Sequence, residues 1–347
     1  MRNVLFAIVL FAASCACAAN PVVQSASAAE AAGSRVDPEG TFTLPGSKGR
    51  LSALLKLPDD MRPGDRCPIA VLCHGFGADK CAQGGMFCDF AVALARVGVA
   101  SVRFDFNGHG ESEGALRDMT VLNEIEDAKR VVEWAASRPW CNGKVSLLGH
   151  SQGGVVAAMA AGELGAEKIA RVVLLAPACV LKDDVRRGCT FGSRYDPKNP
   201  PEFVRLPGGK EIGRAFIQTS YDLPIFETAR KFTGPVALIH GTGDPIARTE
   251  HVLRLDREYA DSELHLMAGD DHGLSRTFRE VCGIVAEFLS RDAPCRQKNG
   301  RLSSGKAHLK KEGSDFFLNL PPCAKGAIFG IIYPQFANLR KKEHGKA

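Results

Sequence analysis

Ser151 lies in Gly149-His150-Ser151-Gln152-Gly153, between an apolar run that reads as a buried strand and an Ala-rich run that reads as a helix. A turn that sharp leaves no room for flanking side chains, which accounts for the glycines. It lifts the serine above the sheet at a helix N-terminus, where unbonded N–H groups can stabilise an oxyanion. The chemistry implied is nucleophilic attack on a carbonyl. A serine hydroxyl becomes an effective nucleophile when a histidine takes its proton and a carboxylate orients that histidine. Asp244 ends the turn His240-Gly241-Thr242-Gly243-Asp244 after a strand-like run at 236–239, and His272 follows a second such run at 263–267. The order Ser, Asp, His, each just past a strand, suits a single active centre. A second oxyanion donor is expected from His74-Gly75-Phe76, which follows the apolar run 69–73. The amides of Phe76 and Gln152 are the candidate pair.

Rival residues fit less well. His150 adjoins Ser151, but neighbours in a tight turn point apart, so it reads as a packing residue. His240 and His265 read as core histidines, and His251 as part of a helix face. Asp270 and Asp271 stand too close to His272 in the chain to orient its ring.

The elements needed to hold these residues alternate. Two strands joined at Pro45-Gly46-Ser47 open the domain. Strands are then expected at 69–73, 100–104, 145–148, 171–175, 236–239 and 263–267, and helices at 86–97, 121–137, 151–163, 249–260 and 274–290. Such alternation predicts a mostly parallel sheet with helices on both faces. The 121–137 helix is read with Glu124, Asp127 and Glu133 off its apolar face. Residues 180–232 form an irregular stretch that breaks the alternation and carries Phe191, Tyr195, Phe203, Phe216, Tyr221 and Phe226, so they are read as a cap inserted over the carboxyl edge of the sheet.

The chain of 347 residues is 45% hydrophobic, enough for one large domain, placed here at 41–292. Residues 1–18 read as a signal peptide: Arg2, an apolar run too short to span a bilayer, then Ala16-Cys17-Ala18. Residues 19–40 read as a flexible leader, and the protein as exported: periplasmic, secreted or lipid-anchored. Ala12-Ala13-Ser14-Cys15 is similar to a lipoprotein cleavage box, and lipidation there would tether the chain to the envelope. Net charge is +5, but residues 293–347 hold eleven Lys/Arg against three Asp/Glu, a surplus of eight that leaves 1–292 at −3. That acidic body has no footprint for nucleic acid, and the basic end reads as a dispensable tail. Of twelve cysteines, two fall in the signal segment, and no Cys-x-x-Cys pair suggests zinc. Cys67 and Cys141 open strands expected to lie side by side, which makes them the candidate disulfide.

Beyond these features the chain resembles the α/β-hydrolase superfamily, and within it the bacterial cinnamoyl (feruloyl) esterases. The runs LCHGFGADK, SVRFDFNGHGESEG, MTVLNEIEDAK, LLGHSQGGVVA, LLAPA, LPIFETA, LIHGTGD and LHLMAGDDHG follow that family's pattern in order over about residues 42–289. The resemblance implies an α/β-hydrolase fold with a cap. It implies hydrolysis, without cofactor or metal, of small-molecule or oligosaccharide esters of hydroxycinnamic acids. It assigns Ser151 as nucleophile, Asp244 as acid, His272 as base, and Phe76 and Gln152 as oxyanion donors. It puts Asp184 in the polar position of the phenol pocket. Phe216 stands where the family often has tyrosine, and Leu274 where it usually has phenylalanine. The other readings are a general short-chain carboxylesterase, another serine hydrolase on the same fold, and a ligand-binding protein that has lost catalysis.

Overall fold

The computed structural model describes residues 40–291, 293, 295–296 and 302–303. The expected signal peptide, nearly all of the leader and most of the basic tail lie outside the described residues. Eight strands form one sheet in the order β1-β2-β4-β3-β5-β6-β11-β12: β1 (Gly40–Pro45), β2 (Arg50–Lys56), β3 (Cys67–Cys73), β4 (Ala100–Phe104), β5 (Cys141–His150), β6 (Ile169–Leu175), β11 (Val236–Gly241) and β12 (Ser262–Met267). The β1–β2 and β2–β4 pairs are antiparallel, and every pair from β4 to β12 is parallel.

The two-residue period of the strands divides the core. Ile69, Val71, Leu147, Val172, Leu174 and Leu238 face one side, with α2 (Val121–Ala136) and α3 (Gln152–Leu164). Ala70, Leu72, Leu148, Val173, Leu175 and Ile239 face the other, with α1 (Met86–Arg96) and α8 (Phe278–Ser290). α7 (Thr249–Glu258) adds Val252 and Leu255 to the first side.

Three readings of the sequence need correction. Residues 180–232 are not irregular: they form α4 (Leu181–Arg186), the hairpins β7–β8 (Cys189–Thr190, Ser193–Arg194) and β9–β10 (Phe203–Arg205, Glu211–Gly213), α5 (Arg214–Tyr221) and α6 (Ile225–Ala229). Elements this short carry too few turns of periodicity to stand out in a sequence. The last helix starts at Phe278, four residues later than expected. The Asp270 carboxylate accepts from the amides of Arg276 and Thr277 and holds the preceding segment as a loop. Glu124 and Asp127 are buried, at 2% and 1% exposure, rather than turned to solvent. Asp127 accepts the amides of Ser47 (2.6 Å) and Asn107 (3.0 Å), tying α2 to the β1–β2 turn and to the loop after β4.

Cys67 and Cys141 are register partners at the start of β3 and β5, as their placement on adjacent strands requires, and neither is in a disulfide.

Candidate active site

The turn between β5 and α3 forces Ser151 to φ 58°, ψ −122°, a left-handed conformation costly for a residue with a Cβ. Close approach explains the flanking glycines. A Cβ at Gly149 would overlap the carbonyl of Gly153, and one at Gly153 would overlap the carbonyls of Cys73 and His74. The strained turn is held from three sides. Ser151 N–H donates to Leu175 O (2.9 Å), while Ser151 O accepts from the amides of Gly154 and Ala178 (both 3.0 Å).

Asp244 and His272 come to the same point from the loops after β11 and β12. His272 Nε2 is 2.9 Å from Ser151 Oγ, and His272 Nδ1 is 2.7 Å from Asp244 Oδ2. An ionised Asp244 can only accept, so Nδ1 carries the proton and Nε2 is left to accept from the serine hydroxyl. Burial alone would raise the Asp244 carboxyl. The bond from His272 and the amides of Ile246 (2.7 Å) and Ala247 (3.0 Å) outweigh it and hold the group below the usual carboxylate range. The two loops are laced together by Gly243 N–H to Asp270 O (2.9 Å) and Gly269 N–H to Thr242 Oγ1 (2.8 Å). This series can draw the hydroxyl proton of Ser151 onto an imidazole whose tautomer is set by a charged acid.

The other histidines and acids have supporting places. His150 Nε2 donates to the carbonyl of His272 (2.9 Å), and burial pulls its ring down to about 4, so it packs neutral behind the site. His240 is fully buried, 4.0 Å from Asp244 Oδ2. His265 is half-buried on β12, and His251 lies 3.1 Å from Asp183 Oδ2 on the flank of the domain. Asp270 and Asp271 bond their own loop, as adjacency suggested.

Gly75 brings the loop after β3 against the nucleophile. A Cβ on it would lie 3.1 Å from Ser151 Cβ and 3.5 Å from Ser151 Oγ. Phe76, the next residue, and Gln152, the first residue of α3, therefore flank the hydroxyl. Gln152 N–H belongs to the first turn of a helix, where intrahelical acceptors are lacking.

The residues that hold this loop were not identified from the sequence. His74 Nδ1–H donates to Gly75 O (2.8 Å), and its Nε2 accepts the amide of Phe106 (3.1 Å). His109 Nε2 accepts the amide of Gly77 (3.1 Å). Burial lowers His74 to about 4 and His109 to about 3, so both remain neutral and keep these acceptor nitrogens. Lys80 closes the loop from the far side: its Nζ is 2.8 Å from Asp105 Oδ2 and 2.7 Å from Glu111 Oε2. The FNGHG run (Phe106 to Gly110) was the available signal, but nothing in its spacing says that His109 reaches back to Gly77. Glu124 was the other omission. Its Oε2 accepts from the Gln152 side chain (2.7 Å), and burial raises its carboxyl to about 8.

The inserted segment lies on the same loop. Phe191 stacks on Phe76 with ring centroids 4.5 Å apart, and Lys210 Nζ donates to Gly77 O (2.5 Å). Phe216, on α5, is buried with its ring 6.5 Å from that of Phe76. Asp184, on α4, is paired with Arg187, and burial lifts its carboxyl against the pull of that arginine. Leu274, two residues past His272, is buried at φ 53°. Among the described residues no group of His, Cys, Asp and Glu is arranged to hold a metal ion, and no helix is long and apolar enough to cross a membrane.

A family model described as serine aminopeptidase, S33, matches residues 65–197, the stretch that includes Phe76 and Ser151. Est1E from Butyrivibrio proteoclasticus, solved with ferulic acid bound, superposes with a TM-score of 0.66 at 26% identity, over 70% of this chain and 94% of that one. The chain belongs to the α/β-hydrolase superfamily. Among curated sequences, the uncharacterized 31.7 kDa protein of the Escherichia coli traX-finO intergenic region is 34% identical over 88 residues. That match takes in 25% of this chain and only 30% of the relative's length. The human serine hydrolase BPHL is 27% identical over 198 residues, 54% of this chain and 67% of that protein.

Proposed function

We propose that this α/β-hydrolase is a serine esterase that cleaves esters of hydroxycinnamic acids through an acyl-enzyme. The observation that carries the reading is the hydrogen-bonded series Ser151 Oγ, His272, Asp244, with the Gly75–Phe76 backbone against the hydroxyl. Ser151 Oγ attacks the ester carbonyl carbon as His272 Nε2 takes its proton. The carbonyl oxygen becomes an oxyanion facing the amides of Phe76 and Gln152. The imidazolium then gives the proton to the departing alcohol oxygen, leaving the acyl group on Ser151. Water, deprotonated by His272, repeats the sequence and releases the acid. Asp244 stays ionised throughout and keeps the proton on Nδ1.

The substrate class draws its support from the resemblance to cinnamoyl esterases, from the likeness to a protein solved with ferulic acid, and from the aromatic wall above the oxyanion loop. Phe76 and Phe191, both partly exposed, offer ring surface to a planar cinnamoyl group, and the buried Phe216 ring lies 6.5 Å from that of Phe76. Asp184 is the polar residue assigned to the phenol, and Phe216 lacks the hydroxyl that would add a second anchor. A buried phenol without a partner costs about 1–3 kcal/mol, so one anchor yields only a modest preference for hydroxylated over plain cinnamate.

The test is kcat/KM on methyl ferulate, methyl p-coumarate, methyl cinnamate, and acetyl and long-chain p-nitrophenyl esters. Hydroxycinnamates should lead. Asp184→Ala should bring the p-coumarate to cinnamate ratio to about one, and Phe216→Tyr should raise it. Acetyl esters in the lead would make the chain a general short-chain carboxylesterase. No turnover on any ester would make it a ligand-binding protein.

A further inference from the structure

A second cluster of reactive side chains sits beside the oxyanion loop, outside the chemistry of Ser151. Cys81 ends the turn that follows Lys80, and Cys88 lies in the first turn of α1. The Phe87 amide donates to Cys81 O (3.1 Å), folding the turn back onto the helix so that both thiols lie against one guanidinium. Arg103 reaches both from β4: its Nη1 donates to Cys88 Sγ at 2.7 Å and to Cys81 Sγ at 3.9 Å. No carboxylate ion-pairs with this guanidinium among the described residues, so a thiolate is the anion placed to complement it. Both cysteines are partly exposed, whereas Cys67, Cys73, Cys141, Cys179 and Cys282 are buried.

We propose that Cys81 and Cys88, with Arg103 as the positioning cation, form a dithiol that exchanges with small-molecule disulfides and closes to an internal disulfide. The Cys88 thiolate attacks one sulfur of a disulfide R–S–S–R, forming a Cys88–S–S–R bond and expelling R–S⁻. Cys81 loses its proton to solvent, and its sulfur attacks Cys88 Sγ, forming the Cys81–Cys88 bond and expelling the second R–S⁻. Two protein thiols are oxidised and one external disulfide is reduced to two thiols.

Cys88 is the attacking sulfur. The hydrogen bond from Cys81, reinforced by Arg103 against burial and against the Asp89 carboxylate, lowers its thiol to about 6. Cys81 is pushed strongly upward by the neighbouring Cys88 and by burial, with Asp79 adding to the effect, and holds the shared proton. An ordinary thiol is only a few per cent ionised at neutral pH, so the pair is biased toward exchange. Closure would tie the turn after Lys80 to α1. That turn adjoins the lysine whose amide and ammonium both bond Asp105, so the bond would brace the loop that carries Phe76.

The experiment uses the full chain in buffers of oxidised and reduced glutathione, trapped with iodoacetamide and digested with trypsin. Both thiols fall in one peptide, from Cys81 to Arg96. In oxidised buffer that peptide should lose two hydrogens and take no alkyl group, and in reduced buffer it should take two. At pH 6.5, native Cys88 should alkylate roughly tenfold faster than Cys189, and Arg103→Leu should remove most of that advantage. Cys81→Ser should trap the Cys88–glutathione mixed disulfide. The oxidised protein should melt about 5 °C higher than the reduced one. The proposal is overturned if both thiols remain free in oxidised buffer, or if native Cys88 alkylates no faster than Cys189. Neither readout depends on ester hydrolysis or on a variant that must fold.

Discussion

Glu124→Gln isolates what a buried acid beside the nucleophile costs. The carboxyl is 2% exposed and accepts from Gln152 Nε2 at 2.7 Å. Burial raises it from an ordinary 4.5 to about 8, and the charged or ionisable groups facing it are Asp127 and Cys73. The sign is set by which state releases the proton first. Below about pH 4.5 the folded and unfolded chains both hold it, and nothing is lost. Between 4.5 and about 8 the unfolded chain ionises while the folded one does not, so stability falls as pH rises. Above about 8 the loss is complete and constant. At about 1.4 kcal/mol per pH unit the interval sets a ceiling of about 5 kcal/mol. Glu124 also lines a cavity of about 410 Å³ with Asn107, Met119 and Asp127, room enough for water to halve that to about 2–3 kcal/mol. Glutamine has nearly the same shape, keeps an oxygen for Gln152, and does not titrate. Urea unfolding should therefore show the two proteins within about 1 kcal/mol at pH 5 and the variant ahead by about 2–3 kcal/mol at pH 9. An advantage of the same size at both pH values would mean that the carboxylate is already charged in the fold.

Three further outcomes follow from the geometry. Replacing His109 by Ala removes the acceptor of Gly77 N–H; kcat on p-nitrophenyl acetate should drop about 10- to 100-fold with KM changing much less, and an unchanged kcat would show that the loop holds itself. Lys80→Met strips the ammonium from Asp105, whose side chain is wholly buried; chemical denaturation should register a loss of about 3 kcal/mol, and a loss below about 1 kcal/mol would mean the backbone amides suffice. Asp244→Asn should fold normally and lower kcat by about 10⁴ by letting the wrong His272 nitrogen carry the proton; near-native steady-state rates would remove Asp244 from the series.

The sheet and the main helices were legible because their periods are clean: β4 lies at the expected residues, and β3, β5, β6 and β11 differ mainly by added ends. The Ser151 turn was legible because glycine and strand–helix context together are specific, and Asp244 and His272 because each lies in the loop just past a strand. What stayed hidden depends on distance in space. Glu124 and Asp127 are polar residues with ordinary helical spacing. Only the fold reveals that Gln152, Ser47 and Asn107 hold them in the interior. His109 is one glycine-flanked histidine in a loop until β4 and β3 are laid side by side. The 180–232 segment stood out by its aromatics, yet its short helices and hairpins carry no clean period, and only the fold reveals that Phe191 and Lys210 within it meet Phe76 and Gly77.

The most direct test of Ser151 as a nucleophile driven by His272 and Asp244 is covalent. The folded chain is treated with a fluorophosphonate, and the adduct is located by peptide mass mapping. One adduct per chain is expected, on Ser151, abolished by Ser151→Ala and strongly slowed by His272→Ala, with ester hydrolysis lost in parallel. Labelling at a different residue, or a Ser151→Ala protein that hydrolyses esters at the native rate, would contradict it.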